Sequence, residues 1–259
     1  MSLPTVAVYH DAGSGEFSRA CLVYALAEHF AGRARVRRVT ARELCASDAW
    51  HDDTCLLALP GGADRPYAQL LDGAGNASIR RYLQRGGAFL GVCAGAYYAC
   101  ARIAFEAPAP DVITAQRELA LFAGTARGSL HELAEPYALD HVRCAAISGV
   151  RVPGSSRDLR ALYWGGPEFL PDPGARYTPL LTYALDSGER LAAVRVELGA
   201  GRAVLTGVHA EIGGSQFPIE VSRYGADSFE YGMQLSAALD AYDAERREVF
   251  GLLMAGLGF

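Results

Sequence analysis

Five consecutive apolar residues, Cys55-Leu56-Leu57-Ala58-Leu59, stop abruptly at Pro60-Gly61-Gly62-Ala63-Asp64. A half-exposed strand alternates apolar and polar residues, whereas an unbroken apolar run of this length reads as a strand covered on both faces. Parallel sheets with helices on either side provide that environment. The same pattern recurs along the first half of the chain. Thr5 to Tyr9 reads as a strand, ends at His10-Asp11-Ala12-Gly13-Ser14-Gly15, and is followed by helical apolar spacing from Phe17 to Phe30. Val36 to Val39 reads as a second strand with a short helix over Ala41 to Ala46. Asn76 reads as the cap of a helix from Ala77 to Gln84, which Arg85-Gly86-Gly87 ends. Strands alternating with helices in this way predict an α/β fold with a doubly wound, mainly parallel sheet. Loops at the carboxyl ends of such strands lie on the ligand side, which makes Asp11 and Gly13 candidate pocket residues or parts of a plain turn.

After Ala101 the pattern changes. Short runs around Leu119 to Phe122, Ala145 to Val152, Leu159 to Trp164, Tyr177 to Leu185, Ala192 to Leu198 and Arg202 to Thr206 are separated by Pro and Gly. They predict a strand-rich, partly antiparallel second half, with Leu198-Gly199-Ala200-Gly201-Arg202 as a hairpin turn. Phe229 to Leu239 and Tyr242 to Leu257 read as closing helices. Gly213 to Tyr224 reads as a loop that covers the pocket or packs outside it, and Trp164-Gly165-Gly166-Pro167 as an aromatic-glycine corner. No composition shift or linker divides the 259 residues, which are expected to form one domain, 1–259.

Chemistry is expected first at Phe89-Leu90-Gly91-Val92-Cys93-Ala94-Gly95-Ala96-Tyr97-Tyr98-Ala99, a strand, a sharp corner and a helix. Such a corner holds the Cys93 side chain clear of its own backbone, at a helix N-terminus that favours a thiolate. Gly91 and Gly95 avoid a Cβ in the tight turn. An ordinary buried cysteine is the alternative. Gly61 and Gly62, at the end of another strand, allow a backbone N–H to face the cleft as an oxyanion site requires, or form a flexible turn. Near the carboxyl end of the last strand, His209 and Glu211 are two residues apart, on one side of an extended segment. An imidazole beside a carboxylate can take a thiol proton while held in one tautomer; a surface His beside a solvated Glu is the bland alternative.

Composition excludes several functions. All 24 basic residues are arginine, so Schiff-base chemistry, a Walker-type phosphate lysine and a lysine-borne cofactor are absent. The net charge of −5 and dispersed arginines argue against nucleic acid as a partner. No signal-like or membrane-spanning run is present, and the six widely spaced cysteines read as reduced thiols, which together predict a cytoplasmic protein with no membrane partner. No CxxC pair suggests zinc, and no cofactor is expected. Cys100 would fall two helical turns beyond Cys93, about 10 Å along the axis, as a core residue. The oligomeric state is left open.

With these residues in place, the chain resembles the biotin-protein ligase N-terminal domain family, within the class I glutamine amidotransferase-like superfamily. The resemblance rests on Pro60-Gly61-Gly62-Ala63-Asp64, Ile79-Arg80-Arg81-Tyr82, Arg85-Gly86-Gly87 and Gly91 to Ala99. It implies a flavodoxin-like sheet, a Cys93-His209-Glu211 triad, and Gly62 and Ala94 N–H groups at the oxyanion site. In true glutamine amidotransferases the nucleophile motif reads Gly-x-Cys-x-Gly-x-Gln, and the place of that Gln is Tyr97 here. The lysine-bearing segment of a biotin ligase is missing, so no biotinyl-adenylate is expected. The expected activity is a cysteine-dependent amidase or acyl-transfer reaction on a small-molecule amide or carboxylate-type ligand. A binding module walled by Tyr97 and Tyr98 that has lost turnover and recognises a small metabolite or a protein partner, and a redox or glyoxalase-like role related to the DJ-1 branch, are the alternatives.

Overall fold

The computed structural model describes residues 3–106, 112–185, 188 and 190–259; Met1 and Ser2, at the head of the chain, lie outside them. The first half runs β1 (Thr5–Tyr9), α1 (Glu16–His29), β2 (Arg35–Val39), α2 (Ala41–Ala46), β3 (Thr54–Leu59), α3 (Asp64–Leu71), α4 (Ala74–Gln84), β4 (Ala88–Val92) and α5 (Ala94–Ala99). Then follow β5 (Cys100–Glu106), β6 (Val112–Gln116), β7 (Phe122–Gly128), β8 (Ala145–Arg151), β9 (Asp158–Trp164) and β10 (Glu168–Pro171). The chain closes with β11 (Thr178–Tyr183), β12 (Arg190–Leu198), β13 (Gly201–Thr206), β14 (Val208–His209), α6 (Phe217–Val221), α7 (Ala226–Ala241) and α8 (Asp243–Leu257).

Ten strands form one sheet in the order β14-β9-β8-β11-β12-β13-β4-β3-β1-β2. From β13 to β2 every pairing is parallel, and from β13 to β14 every pairing is antiparallel. Within the parallel half, β1, β3 and β4 are covered on both faces, while β2 is the exposed edge. On β1, Val6 and Val8 pack with Leu22 and Leu26 of α1 and Leu253 and Met254 of α8, while Ala7 and Tyr9 pack with α3, α4 and α5 residues on the other face. This two-sided burial is why the strands carry unbroken apolar runs. The expected hairpin joins β12 and β13, with Leu198 opposite Gly201. Gly199 adopts φ +63° there, and a Cβ would lie 2.7 Å from the Gln84 Cα.

Several elements depart from the sequence reading. α5 is only six residues long, and Cys100 opens a strand instead of continuing a helix; it remains a fully buried core residue, its thiol donating to the Ala96 carbonyl. β5 begins a second, four-stranded sheet in the order β10-β7-β5-β6, of which the sequence announced only part, near Leu119 to Phe122. α4 starts at Ala74 after Gly73, so Asn76 is not its cap. Asn76 is instead buried within the helix, where its amide donates to Asp72 and Glu118 and accepts the Tyr98 hydroxyl. α3 has no counterpart in the sequence pattern, and the Gly213 to Tyr224 segment contains α6. Among the described residues, no helix is long and apolar enough to cross a membrane.

Candidate functional site

β4 lies between β13 and β3, near the middle of the parallel half, and delivers Cys93 at its carboxyl end. The Cys93 N–H still belongs to the sheet, donating to the Thr206 carbonyl at 2.9 Å, while its carbonyl accepts the N–H groups of Ala96 and Tyr97 and opens α5. One residue thus ends a strand and begins a helix, at φ +48°, ψ −105°. Positive φ in a residue with a Cβ is a strained state costing on the order of 1–3 kcal/mol, sustained only where surrounding contacts over-determine it. Gly91 and Gly95 allow that packing: a Cβ on Gly95 would lie 2.2 Å from the Leu59 carbonyl oxygen, and one on Gly91 2.8 Å from that of Gly95.

His209 ends β14, the short strand after β13, and Glu211 lies two residues beyond it. Both are buried, and the His209 Nδ1–H donates to Glu211 Oε1 at 2.8 Å, which leaves Nε2 for Cys93. Burial opposes protonation of this imidazole. The Glu211 carboxylate and the hydrogen bond with Cys93 outweigh burial and push it up to about 10. The three residues expected to act together are therefore adjacent. The Cys93 thiol also meets the Trp164 carbonyl at 3.6 Å, which brings the aromatic-glycine corner to the same place.

The glycine loop completes the enclosure. A Cβ on Gly61 would lie 2.8 Å from His209 Cε1, 2.9 Å from Ser18 Oγ and 3.4 Å from Cys93 Cβ. Gly62 sits at φ +145°, bridged to Ser14, and a Cβ there would lie 2.1 Å from the Gly13 carbonyl oxygen. Gly15 N–H donates to the Gly61 carbonyl and Ala63 N–H to the Gly13 carbonyl, so the first loop's contribution is to lock the second. Asp11 turns the other way and accepts the N–H groups of Ala12 and Ala41. The Gly61 N–H is engaged by Ser18 Oγ at 3.0 Å. Among the described residues, no hydrogen bond engages the N–H of Gly62 or Ala94.

Tyr97 and Tyr98 stand elsewhere than the pocket wall expected of them. Both lie on α5 and are buried in the core cluster that α5 shares with α3 and α4. The Tyr97 hydroxyl donates to the Gly165 carbonyl at 3.1 Å, and the Tyr98 hydroxyl is spent on Asn76. Two residues with no local sequence signal take their place near the site. Ser18, in the first turn of α1, donates to Glu211 Oε1 at 3.2 Å. Arg246, on α8 and buried, donates from Nη1 to the Ala210 carbonyl at 2.6 Å, fixing the backbone between His209 and Glu211. Among the described residues, no group of three or more His, Cys, Asp or Glu could hold a metal ion.

Comparison with known proteins gives the same frame. Residues 4–259 match the family model described as biotin-protein ligase, N terminal. An uncharacterized protein of Chlamydia muridarum is 34% identical over 220 residues, which is 82% of each chain. The biotin–protein ligase of Schizosaccharomyces pombe is 31% identical over 175 residues, 66% of this chain but 28% of the ligase. Among solved structures, a glutamine amidotransferase from Thermotoga maritima superposes with a TM-score of 0.63 over 99% of both chains at 13% identity, a likeness of fold.

Proposed function

The chain belongs to the biotin-protein ligase N-terminal domain family, and from that premise we propose that it is a cysteine-dependent amide hydrolase or acyl-transfer enzyme acting at Cys93. The observation that carries the reading is a buried His209–Glu211 pair beside a cysteine held at positive φ on a strand-helix corner. His209 accepts the thiol proton and, with its basicity raised by Glu211, retains it at neutral pH. The Cys93 sulfur attacks the amide carbonyl carbon, and the electron pair displaced onto oxygen meets the Gly62 and Ala94 N–H groups. Collapse of that adduct breaks the C–N bond while His209 returns the proton to the leaving amine. Water or a second nucleophile then releases the acyl group from sulfur. Glu211 holds the Nδ1–H tautomer throughout.

The substrate of this reading is a small-molecule amide or carboxylate-type compound. The ligase match covers 28% of that protein, and its ligation activity forms no part of the proposal. Ammonia or amine release from an amide panel that includes glutamine tests the reading. Cys93→Ala is expected to reduce turnover by several orders of magnitude; unchanged turnover in the variant refutes it. A second reading is favoured by Tyr97, which stands at the motif position of the superfamily's glutamine while its hydroxyl is tied to Gly165: a binding module for the same class of ligand. Saturable calorimetric binding without product, surviving Cys93→Ala, selects that reading instead.

A further inference from the structure

Ser18 joins two parts of the site that no local stretch of chain connects. Its hydroxyl accepts the Gly61 N–H at 3.0 Å and donates to Glu211 Oε1 at 3.2 Å, across 193 residues of sequence. The directions are forced, because an amide N–H can only donate and a carboxylate can only accept. The same Glu211 oxygen accepts the His209 Nδ1–H at 2.8 Å. A continuous path of hydrogen bonds therefore runs from the glycine loop through Ser18 to Glu211, where it meets the bond from His209. Gly61 is held on its other side as well, its carbonyl accepting the Gly15 N–H at 2.8 Å. A trans peptide sends its N–H opposite its C=O, so this anchor directs the Gly62 N–H away from Gly15.

We infer that Ser18 is a positioning residue which sets the glycine loop and the His209–Glu211 pair in register as one unit. The inference rests on the reading of Cys93 as a nucleophile served by His209. Ser18 touches neither the thiol nor the reacting carbonyl in this role. Its hydroxyl keeps Glu211 Oε1 aimed at His209 and keeps Gly61 from drifting into the imidazole, whose Cε1 would lie only 2.8 Å from a Gly61 Cβ. Each half of the site then constrains the other through one oxygen atom.

The test is the rate of iodoacetamide alkylation at Cys93, resolved by peptide mass analysis, from about pH 6 to about pH 10, a range that spans free-thiol ionisation. It compares wild type with His209→Ala, Ser18→Ala and Ser18→Cys. The last fills nearly the same volume but bonds weakly, and it carries the test alone should Ser18→Ala fail to fold. Both Ser18 variants are expected to react about tenfold more slowly than wild type near neutral pH, the scale of a small misplacement, with the deficit closing as pH rises. A deficit equal at every pH assigns Ser18 to access or packing and overturns the inference. So does a Ser18→Cys profile that matches wild type beside a slow Ser18→Ala. Both Ser18 profiles superimposing on wild type while His209→Ala is slow overturns the role of Ser18 and leaves the nucleophile reading standing. His209→Ala superimposing on wild type removes that reading, and the role of Ser18 with it.

Discussion

Gly61→Ala is the most revealing single change, because one added carbon meets the site from the inside. The new Cβ would lie 2.8 Å from His209 Cε1, 2.9 Å from Ser18 Oγ and 3.4 Å from Cys93 Cβ. Carbon atoms in contact sit about 3.5–4.0 Å apart, so the imidazole must retreat by roughly 0.7 Å or more. It cannot retreat freely, since its Nδ1–H is bonded to Glu211, and Glu211 is in turn bonded to Ser18. Overpacking of this kind costs about 1–3 kcal/mol. With a urea slope of about 3 kcal/mol/M, the unfolding midpoint should fall by up to about 1 M. A shift of that size at the imidazole should slow Cys93 alkylation near neutral pH by up to about a hundredfold. Urea melts and alkylation kinetics on the same preparation check both numbers. A variant as stable and as reactive as wild type would show that the enclosure has room for a methyl group and would refute the packing argument.

Gly251→Ala is the matching control: it lies inside α8 with nothing within 4 Å of an added Cβ, so thermal melting should show stabilisation by about 0.5–1 kcal/mol. His209 is pushed up from 6.5 to about 10, so the stability it contributes is full below pH 6.5 and is lost as pH rises through about 10. Urea midpoints of wild type and Glu211→Gln should therefore differ most near pH 6 and converge toward pH 10; a constant gap contradicts the pairing. Arg246→Lys should fail to replace arginine, because Nη1 reaches Ala210 while Nε and Nη2 hold Asp243. Calorimetry should show a loss of about 1–3 kcal/mol from the unsatisfied Ala210 carbonyl, with slower alkylation of Cys93. Tyr98→Phe leaves the buried Asn76 carbonyl without the phenol, and should cost about 1–3 kcal/mol in denaturant melts without changing Cys93 reactivity.

What could be read from the sequence was whatever local order expresses. Runs such as Cys55 to Leu59 declare two-sided burial because every residue in them must be apolar, and Gly91 and Gly95 declare a corner because no other residue fits one. His209 and Glu211 were legible as a pair because only Ala210 separates them. β5 and β6 were harder to read, since Cys100 reads as two helical turns beyond Cys93 until it pairs with Phe122 in the second sheet. Tyr97 and Tyr98 look like pocket walls beside Cys93, yet six residues of helix turn both rings into the core toward Gly165 and Asn76. Ser18 and Arg246 had no signal at all. A serine in the first turn of a helix and an arginine in the last helix acquire their roles only when α1 and α8 pack on the same face of the sheet, beside the carboxyl end of β13. Local composition determined which strands are buried and where the chain must turn; side-chain partners such as Ser18 and Glu211, 193 residues apart, were decided by packing, because hydrogen bonds between them exist only once the sheet has closed the distance.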